Sequence, residues 1–171
     1  VTGANISWGA ATLEGGGVHA LNGVATPDDV GIVSLTTIAS FVIAVAAQSQ
    51  RFFWINPGEK TIDALNFASA ESLPDQIISA MTVADQFWLF GQSSTEAWVP
   101  TGDANIPFQP IRGQAFSRGI VDGTAVKVND LVLVVGNDGI VYAVGGGVQR
   151  VSNHGIEEKV RTALRKEREN G

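Results

Sequence analysis

Apolar residues in this chain fall in short, β-branched runs broken by small polar turns, and the breaks recur at a fixed spacing. Residues 34–46 (SLTTIASFVIAVA), 79–91 (SAMTVADQFWLFG) and 124–136 (TAVKVNDLVLVVG) align without a gap, each 45 residues after the last. Each copy reads as a strand, a two-residue turn, and a second, more strongly apolar strand. The turns are Ala39-Ser40, Ala84-Asp85 and Asn129-Asp130. Short polar breaks between β-rich runs predict hairpins. A third strand follows in every copy: 51–55 after Gln48-Ser49-Gln50, 95–99 after Gln92-Ser93-Ser94, and 140–144 after Asn137-Asp138-Gly139. An aromatic residue recurs in it, as Phe53 or Trp54, then Trp98, then Tyr142.

Three- to four-stranded antiparallel units repeating at this period are the signature of β-propeller blades. A second strand that is apolar on both faces suits a sheet squeezed between two neighbours, whereas a sandwich or meander has no need of a gapless repeat. The predicted fold is therefore all-β: three blades of a larger propeller, followed by a C-terminal α-helix. The expected division is a propeller segment over 1–155, with blades at about 30–60, 77–102 and 120–151, and a helix over 156–171. Propellers close with about four to eight blades, so three imply either a longer protein or several chains closing a ring. The Val1 start favours a processed or excerpted chain, and the Gly/Ala-rich stretch 1–26, which holds Trp8, fits the tail of a preceding blade.

Loops marked by Pro57, Pro74, Pro100 and Pro107 join the blades. After the third, Ser152-Asn153-His154-Gly155 reads as a capped helix start. In the following IEEKVRTALRKERENG, Ile156, Val160, Ala163 and Leu164 form one apolar stripe, and Glu157/Arg161 and Arg165/Glu169 are i,i+4 pairs of opposite charge. Glu157 and Glu158 in the first turn, with Arg165, Lys166 and Arg168 in the last, suit the helix dipole. Such a helix serves either to dock a neighbour or to lie solvated on its own domain.

The chain has 171 residues, with 11 Lys+Arg against 17 Asp+Glu for a net charge of −6, which disfavours non-specific wrapping of nucleic acid. It has no cysteine, so disulfides, thiol nucleophiles and thiolate-bound metals are excluded. The uncharged stretch 31–47 just reaches the length of a membrane span, but its Ser34, Thr36, Thr37 and Ser40, its β-branched content and its recurrence elsewhere with charges predict two buried strands. A soluble chain with no membrane partner is expected.

Candidate chemistry is sparse. The two histidines, His19 and His154, cannot make a multi-histidine metal centre; His19 sits in an apolar stretch and His154 at the helix start. Gly91-Gln92-Ser93-Ser94-Thr95 lacks the second glycine of a nucleophile elbow, so its serines read as turn residues. The runs Gly15–Gly17 and Gly145–Gly147 lack the Lys-Ser/Thr of a phosphate loop. Asp28-Asp29 follows Pro27 and reads as a turn. Gly136-Asn137-Asp138-Gly139 hints at a calcium loop, but the twelfth ligand position would fall on apolar Val148, and turn chemistry accounts for it. Trp54, Trp88 and Trp98 lie in predicted strands and read as core. No catalytic residue, cofactor-binding residue or metal ligand is assigned, no cofactor is expected, and the interface residues are unknown at this level.

Taken in order, Leu65-Asn66-Phe67-Ala68-Ser69-Ala70-Glu71-Ser72-Leu73-Pro74-Asp75, Phe87-Trp88-Leu89-Phe90-Gly91, Thr95-Glu96-Ala97-Trp98 and Thr101-Gly102 resemble the tail hub, or nozzle, proteins of short-tailed bacteriophages, also called packaged-DNA stabilisation proteins. So do Pro107-Phe108-Gln109-Pro110-Ile111, 136–142 (GNDGIVY) and 149–157 (QRVSNHGIE), with Val151 where isoleucine is usual and Gly155 where alanine is usual. The similarity spans roughly 64–158. It implies a non-enzymatic, structural virion protein of the tail, made in the bacterial host cytoplasm, whose propeller-bearing subunits form a ring with themselves, often a hexamer. Such a ring extends the DNA channel and retains the packaged genome. Implied partners are the head-to-tail connector and fibre, spike or tail-tip proteins, with DNA passing through without specific binding; an acidic surface suits a channel that must not grip phosphates. Members are several hundred residues long, so this chain corresponds to part of one. The alternative is a propeller binding module that recognises carbohydrate or peptide through its loops.

Overall fold

The structure, a computed structural model, describes residues 6–8, 11–13, 20–21, 24–25, 31–59, 63, 65–70 and 75–170; before residue 31, and at residue 170, it is the backbone that is described. Two short hairpins come first, β1 (Ile6–Trp8) with β2 (Ala11–Leu13) and β3 (Ala20–Leu21) with β4 (Val24–Ala25). Three four-stranded antiparallel sheets follow. The first blade is β5 (Ile32–Ile38), β6 (Phe41–Ala46), β7 (Arg51–Ile55) and β8 (Phe67–Ser69). The second is β9 (Ile77–Val83), β10 (Gln86–Gly91), β11 (Thr95–Pro100) and β12 (Phe108–Phe116). The third is β13 (Val126–Val128), β14 (Leu131–Val135), β15 (Val141–Val144) and β16 (Val148–Arg150). Helix α1 (His154–Asn170) closes the order.

Every blade is a simple up-and-down meander in which sequential strands pair. The repeat also shows in the backbone. Ala39, Ala84 and Asn129, the first residues of the three equivalent turns, have φ of 47°, 53° and 53°. That left-handed geometry matches the twist of a tight hairpin, and an alanine adopts it at a cost of roughly 1 kcal/mol. Each sheet also gains a fourth strand. β8 and β12 lie past the ends expected for the first two blades, because Phe67 and Phe108 have no repeat partner to mark them.

The blades stack face to face, and the first two set their first strands side by side. The Ala80 and Thr82 amides of β9 donate to Ser34 Oγ (3.0 Å) and Thr36 Oγ1 (3.1 Å) of β5, and the two threonine hydroxyls are 2.9 Å apart. Alternation along the second strands sorts the core. Ile43 and Val45 face the second blade, whose Phe87 and Leu89 face back; Trp88 and Phe90, on the other side of β10, pack with Val132 and Val134 of β14. Because both faces of β10 are covered, the sequence shows no polar alternation there; all of Phe87, Trp88, Leu89 and Phe90 are buried.

Stretch 31–47 forms the β5–β6 hairpin, and among the described residues no helix is long and apolar enough to cross a membrane. Helix α1 starts two residues before the apolar pattern. Asn153 caps it, its Oδ1 accepting from the Ile156 amide at 3.1 Å and its carbonyl from the Glu157 amide at 3.0 Å. The expected apolar stripe is only partly covered: Val160 and Leu164 are half-buried, while Ile156 and Ala163 are exposed.

Candidate functional site

Among the described residues, many side-chain hydrogen bonds gather at the blade end that carries the 92–94 and 137–139 turns. In the second blade, Asp75 builds the turn: its Oδ2 accepts from the amides of Ser93 (2.5 Å) and Ser94 (2.9 Å), and its Oδ1 from Ser94 Oγ (2.6 Å). Both serines are thereby committed to turn structure, as their position in the sequence predicts. Gly91 leaves room for the Asp75 carboxylate, since a Cβ there would meet it at 2.4–3.0 Å and displace it from the turn.

Gln92 Nε2 donates to Gln76 Oε1 (2.9 Å) within the second blade, and two bonds run on to the third: the Asn137 side chain donates to the Gln92 carbonyl, and the Ile120 amide donates to the Gly91 carbonyl (3.1 Å). In the third blade Asp138 does more than make a turn. Its Oδ1 accepts from the Ile140 amide (3.0 Å), and its Oδ2 accepts from both Tyr142 Oη (2.7 Å) and Arg118 (2.8 Å). The Arg118 guanidinium also lies over the Tyr142 ring, 5.4 Å from its centroid. Burial, together with the hydrogen bond and negative charge of Asp138, pushes the Tyr142 phenol up to about 12, against the opposing charges of Arg118 and Arg150.

Beside this cluster Glu157 fixes the helix. Its side chain is 1% exposed although it lies in the first turn of a solvent-facing helix. Arg150 of β16 grips it with two nitrogens, Nε to Oε1 at 2.7 Å and NH2 to Oε2 at 2.9 Å, and Ser152 Oγ donates to Oε1 at 2.9 Å. Arg161 (3.5 Å) and His154 (3.6 Å) complete the ring of partners. Burial raises the carboxyl pKa, but the Ser152 and Arg150 hydrogen bonds, the Arg150 charge and His154 outweigh it and hold the group below its usual range. Arg161 Nε meanwhile donates to the Asp138 carbonyl (3.0 Å), which ties the helix to the turn. Beyond this anchor the helix overhangs a cleft of about 630 Å³, where Leu164, Glu167 and Arg168 face Ile78, Ile120 and Val121.

The residues considered from sequence separate clearly. His19, Gly15–Gly17, Pro27, Asp28 and Asp29 lie outside the described residues. His154 is 92% exposed at the first helical position. Trp54, Trp88 and Trp98 are buried in the blade stack. Gly145–Gly147 form the turn between β15 and β16. Among the described residues no three His, Asp or Glu side chains converge as metal ligands. Sequence reasoning missed the anchoring roles of Asp75, Arg118 and Glu157, and also buried Glu96, whose carboxylate accepts the Trp98 indole N–H at 2.6 Å. The clue for Glu157 was an Arg150 and a Ser152 shortly before the helix, but only folding aims them at one atom pair.

This arrangement is a set of structural locks around a three-blade stack. A family model described as "Bacteriophage P22 Gp10, beta-propeller", for phage stabilisation, matches residues 5–169. The chain belongs to this family. It is thus a phage structural protein with a β-propeller fold, as its repeats and its tail-protein resemblance indicate. Among solved structures, the chain is similar to the Cps50 (Swd1) β-propeller domain of Myceliophteria thermophila, at 11% identity and TM-score 0.51, over 72% of this chain and 40% of that one. It is also similar to BamB from Moraxella catarrhalis, at 12% identity and TM-score 0.49, over 71% of this chain and 36% of that one. These likenesses concern fold alone, and the chain spans well under half the length of either. No curated protein matches significantly.

Proposed function

We propose that this member of the phage-stabilisation family is a piece of the tail hub or nozzle, a ring that prolongs the DNA channel below the head-to-tail connector and retains the packaged genome. The observation that carries this reading is the family match across 5–169. Physical features support it. Rigid, multiply locked blades suit a part that bears load and turns over no substrate. A net charge of −6 lets DNA slide past without gripping its phosphates. The ring contacts itself and the connector, and fibre or tail-tip proteins attach to it; the protein resides in the virion after synthesis in the host cytoplasm. The carbohydrate- or peptide-binding alternative has less to stand on, since Trp54, Trp88 and Trp98 are buried and offer no stacking platform.

The test is genetic. Phage carrying a nonsense mutation in this reading frame are expected to fill their heads and then lose the DNA, and the full-length protein supplied in trans should restore retention. Tagged protein is expected at the tail in electron micrographs. Particles that keep their genomes without the protein, or tails that lack it, would overturn the assignment.

A further inference from the structure

The loops that lead into β8 and β12 share one construction. Each turns on an aspartate and displays an aliphatic side chain two positions before the strand begins. In the first blade the Leu65 amide donates to Asp63 Oδ1 (2.9 Å) and the Asn66 amide to the Asp63 carbonyl (3.0 Å). In the second, Asp103 Oδ1 accepts from the amides of Asn105 (2.7 Å) and Ile106 (3.2 Å), and the Thr101 hydroxyl donates to the Ile106 carbonyl. Leu65 is 82% exposed and Ile106 65%. Two residues after each comes the phenylalanine that opens the fourth strand, Phe67 or Phe108. The feet of the loops meet, because the Trp54 amide donates to the Asn66 carbonyl (3.0 Å) and the Trp54 ring lies 5.7 Å from that of Phe108. One exposed aliphatic residue needs no explanation. The same position held out by the same device in adjacent blades does, since each costs burial that the described chain does not return.

The surroundings of these loops are acidic. In a meander the first turn and the third lie at the same end, here 39–40, 84–85 and 129–130 with 56–66, 101–107 and 145–147. The described charged residues in those segments are Glu59, Asp63, Asp85, Asp103 and Asp130. Among the described residues none of them is in an ion pair, whereas Arg118 pairs with Asp138, and Arg150 and Arg161 with Glu157, at the other end. Further blades add at the sheet faces, so this end stays open whatever their number. We infer that it is a docking surface for a second protein, which offers apolar pockets to Leu65 and Ile106 within a rim of Lys and Arg. Loops already fixed by hydrogen bonds lose little freedom on binding, and unpaired acids steer a basic partner into place. The inference rests on the tail reading only for where the partner resides, in the virion.

The test uses the full-length protein in phage-infected cells. A photoreactive phenylalanine analogue replaces Leu65, Ile106 or, as a control at the other end, the exposed Lys159, and cross-linked peptides are identified by mass spectrometry after irradiation. The Leu65 and Ile106 positions are expected to link to one and the same second protein, at neighbouring sites flanked by Lys and Arg that the control does not reach. Leu65→Ser with Ile106→Ser leaves both aspartate turns in place. This pair is expected to weaken the purified complex by roughly tenfold for each side chain, with an unchanged Tm. No cross-link, links only within the same chain, links to two different proteins, or a linked surface without basic residues would overturn the inference. So would a double variant that binds as tightly as the parent, or one whose Tm falls sharply, since the two side chains would then serve the fold. Absence of the protein from purified virions would instead sink the tail reading, and the cross-linking in cells would still decide the docking surface.

Discussion

Between the first and second blades the interface is aromatic. Phe52 meets Phe87 and Trp98 edge to face at 5.4 and 5.0 Å, and Phe108 meets Phe41, Trp54 and Phe87 at 5.1, 5.7 and 5.4 Å. Between the second and third blades, valines 132, 134 and 144 stand against Trp88 and Phe90, and the polar bonds move from the first strands, where Ser34 and Thr36 meet β9 in the first seam, to the two ends of the sheets. Gln86 Nε2 donates to the Gly145 carbonyl (2.7 Å) at one end, and Asn137 reaches the Gln92 carbonyl at the other. The same repeat positions thus solve one packing problem with side chains of different size and with polar bonds in different places. Large rings fill volume and contribute through burial and edge-to-face contact; small aliphatics leave less buried area, and directional bonds at the rim fix the angle between sheets.

The sharpest way to break this contrast is to truncate one residue on each side. Phe52→Ala is expected to destabilise by about 3–5 kcal/mol and Val132→Ala by about 1–3 kcal/mol in equilibrium denaturation. Equal losses would show that the aromatic cluster carries no special share.

The polar rim of the third blade is tested through Tyr142. Tyr142→Phe removes its bond to Asp138 and is expected to cost about 1 kcal/mol. The single tyrosine makes the alkaline titration clean. Its native pKa of about 12 lies above the ordinary 10.0, so the folded state holds the proton more tightly. The stabilisation from this group is complete below pH 10 and is lost as pH rises towards 12. Ultraviolet titration of the folded protein should show phenolate only near 12; a midpoint near 10 would mean that the rim is open to water.

The smallest expected effect concerns the hairpin turns. Asn129 already suits its left-handed backbone, whereas Ala84 at the equivalent place, φ 53°, does not. Ala84→Asn is expected to gain about 0.5 kcal/mol, read as a slightly higher Tm. A loss would show that the alanine methyl has a packing role that the repeat conceals.

Much of the fold was legible because its signals are local. Turn residues at 39, 84 and 129 and apolar second strands recur at one spacing, and each strand's length follows from its own residues. The fourth strands were harder. Phe67–Ser69 and Phe108–Phe116 are bounded by loops of different length, so the repeat breaks before them. Helix α1 was readable from its charges and stripe, and its start depended on the Asn153 cap. Glu157, read as a surface i,i+4 partner of Arg161, proved to be the buried pin of the helix, because Arg150 and Ser152 converge on it only after β16 turns into α1.

The sequence by itself determined the strand-turn-strand units, their period and the absence of thiol chemistry, since periodicity and composition need no partner to be read. Tertiary structure alone decided which side of each strand meets which blade and which carboxylates are buried. The first depends on the approach of residues 40 or more apart in the chain, where a hydrogen bond such as Thr36 to Thr82 exists only once two sheets are already stacked; the second depends on the turn from β16 into α1, which brings Arg150 and Ser152 onto Glu157.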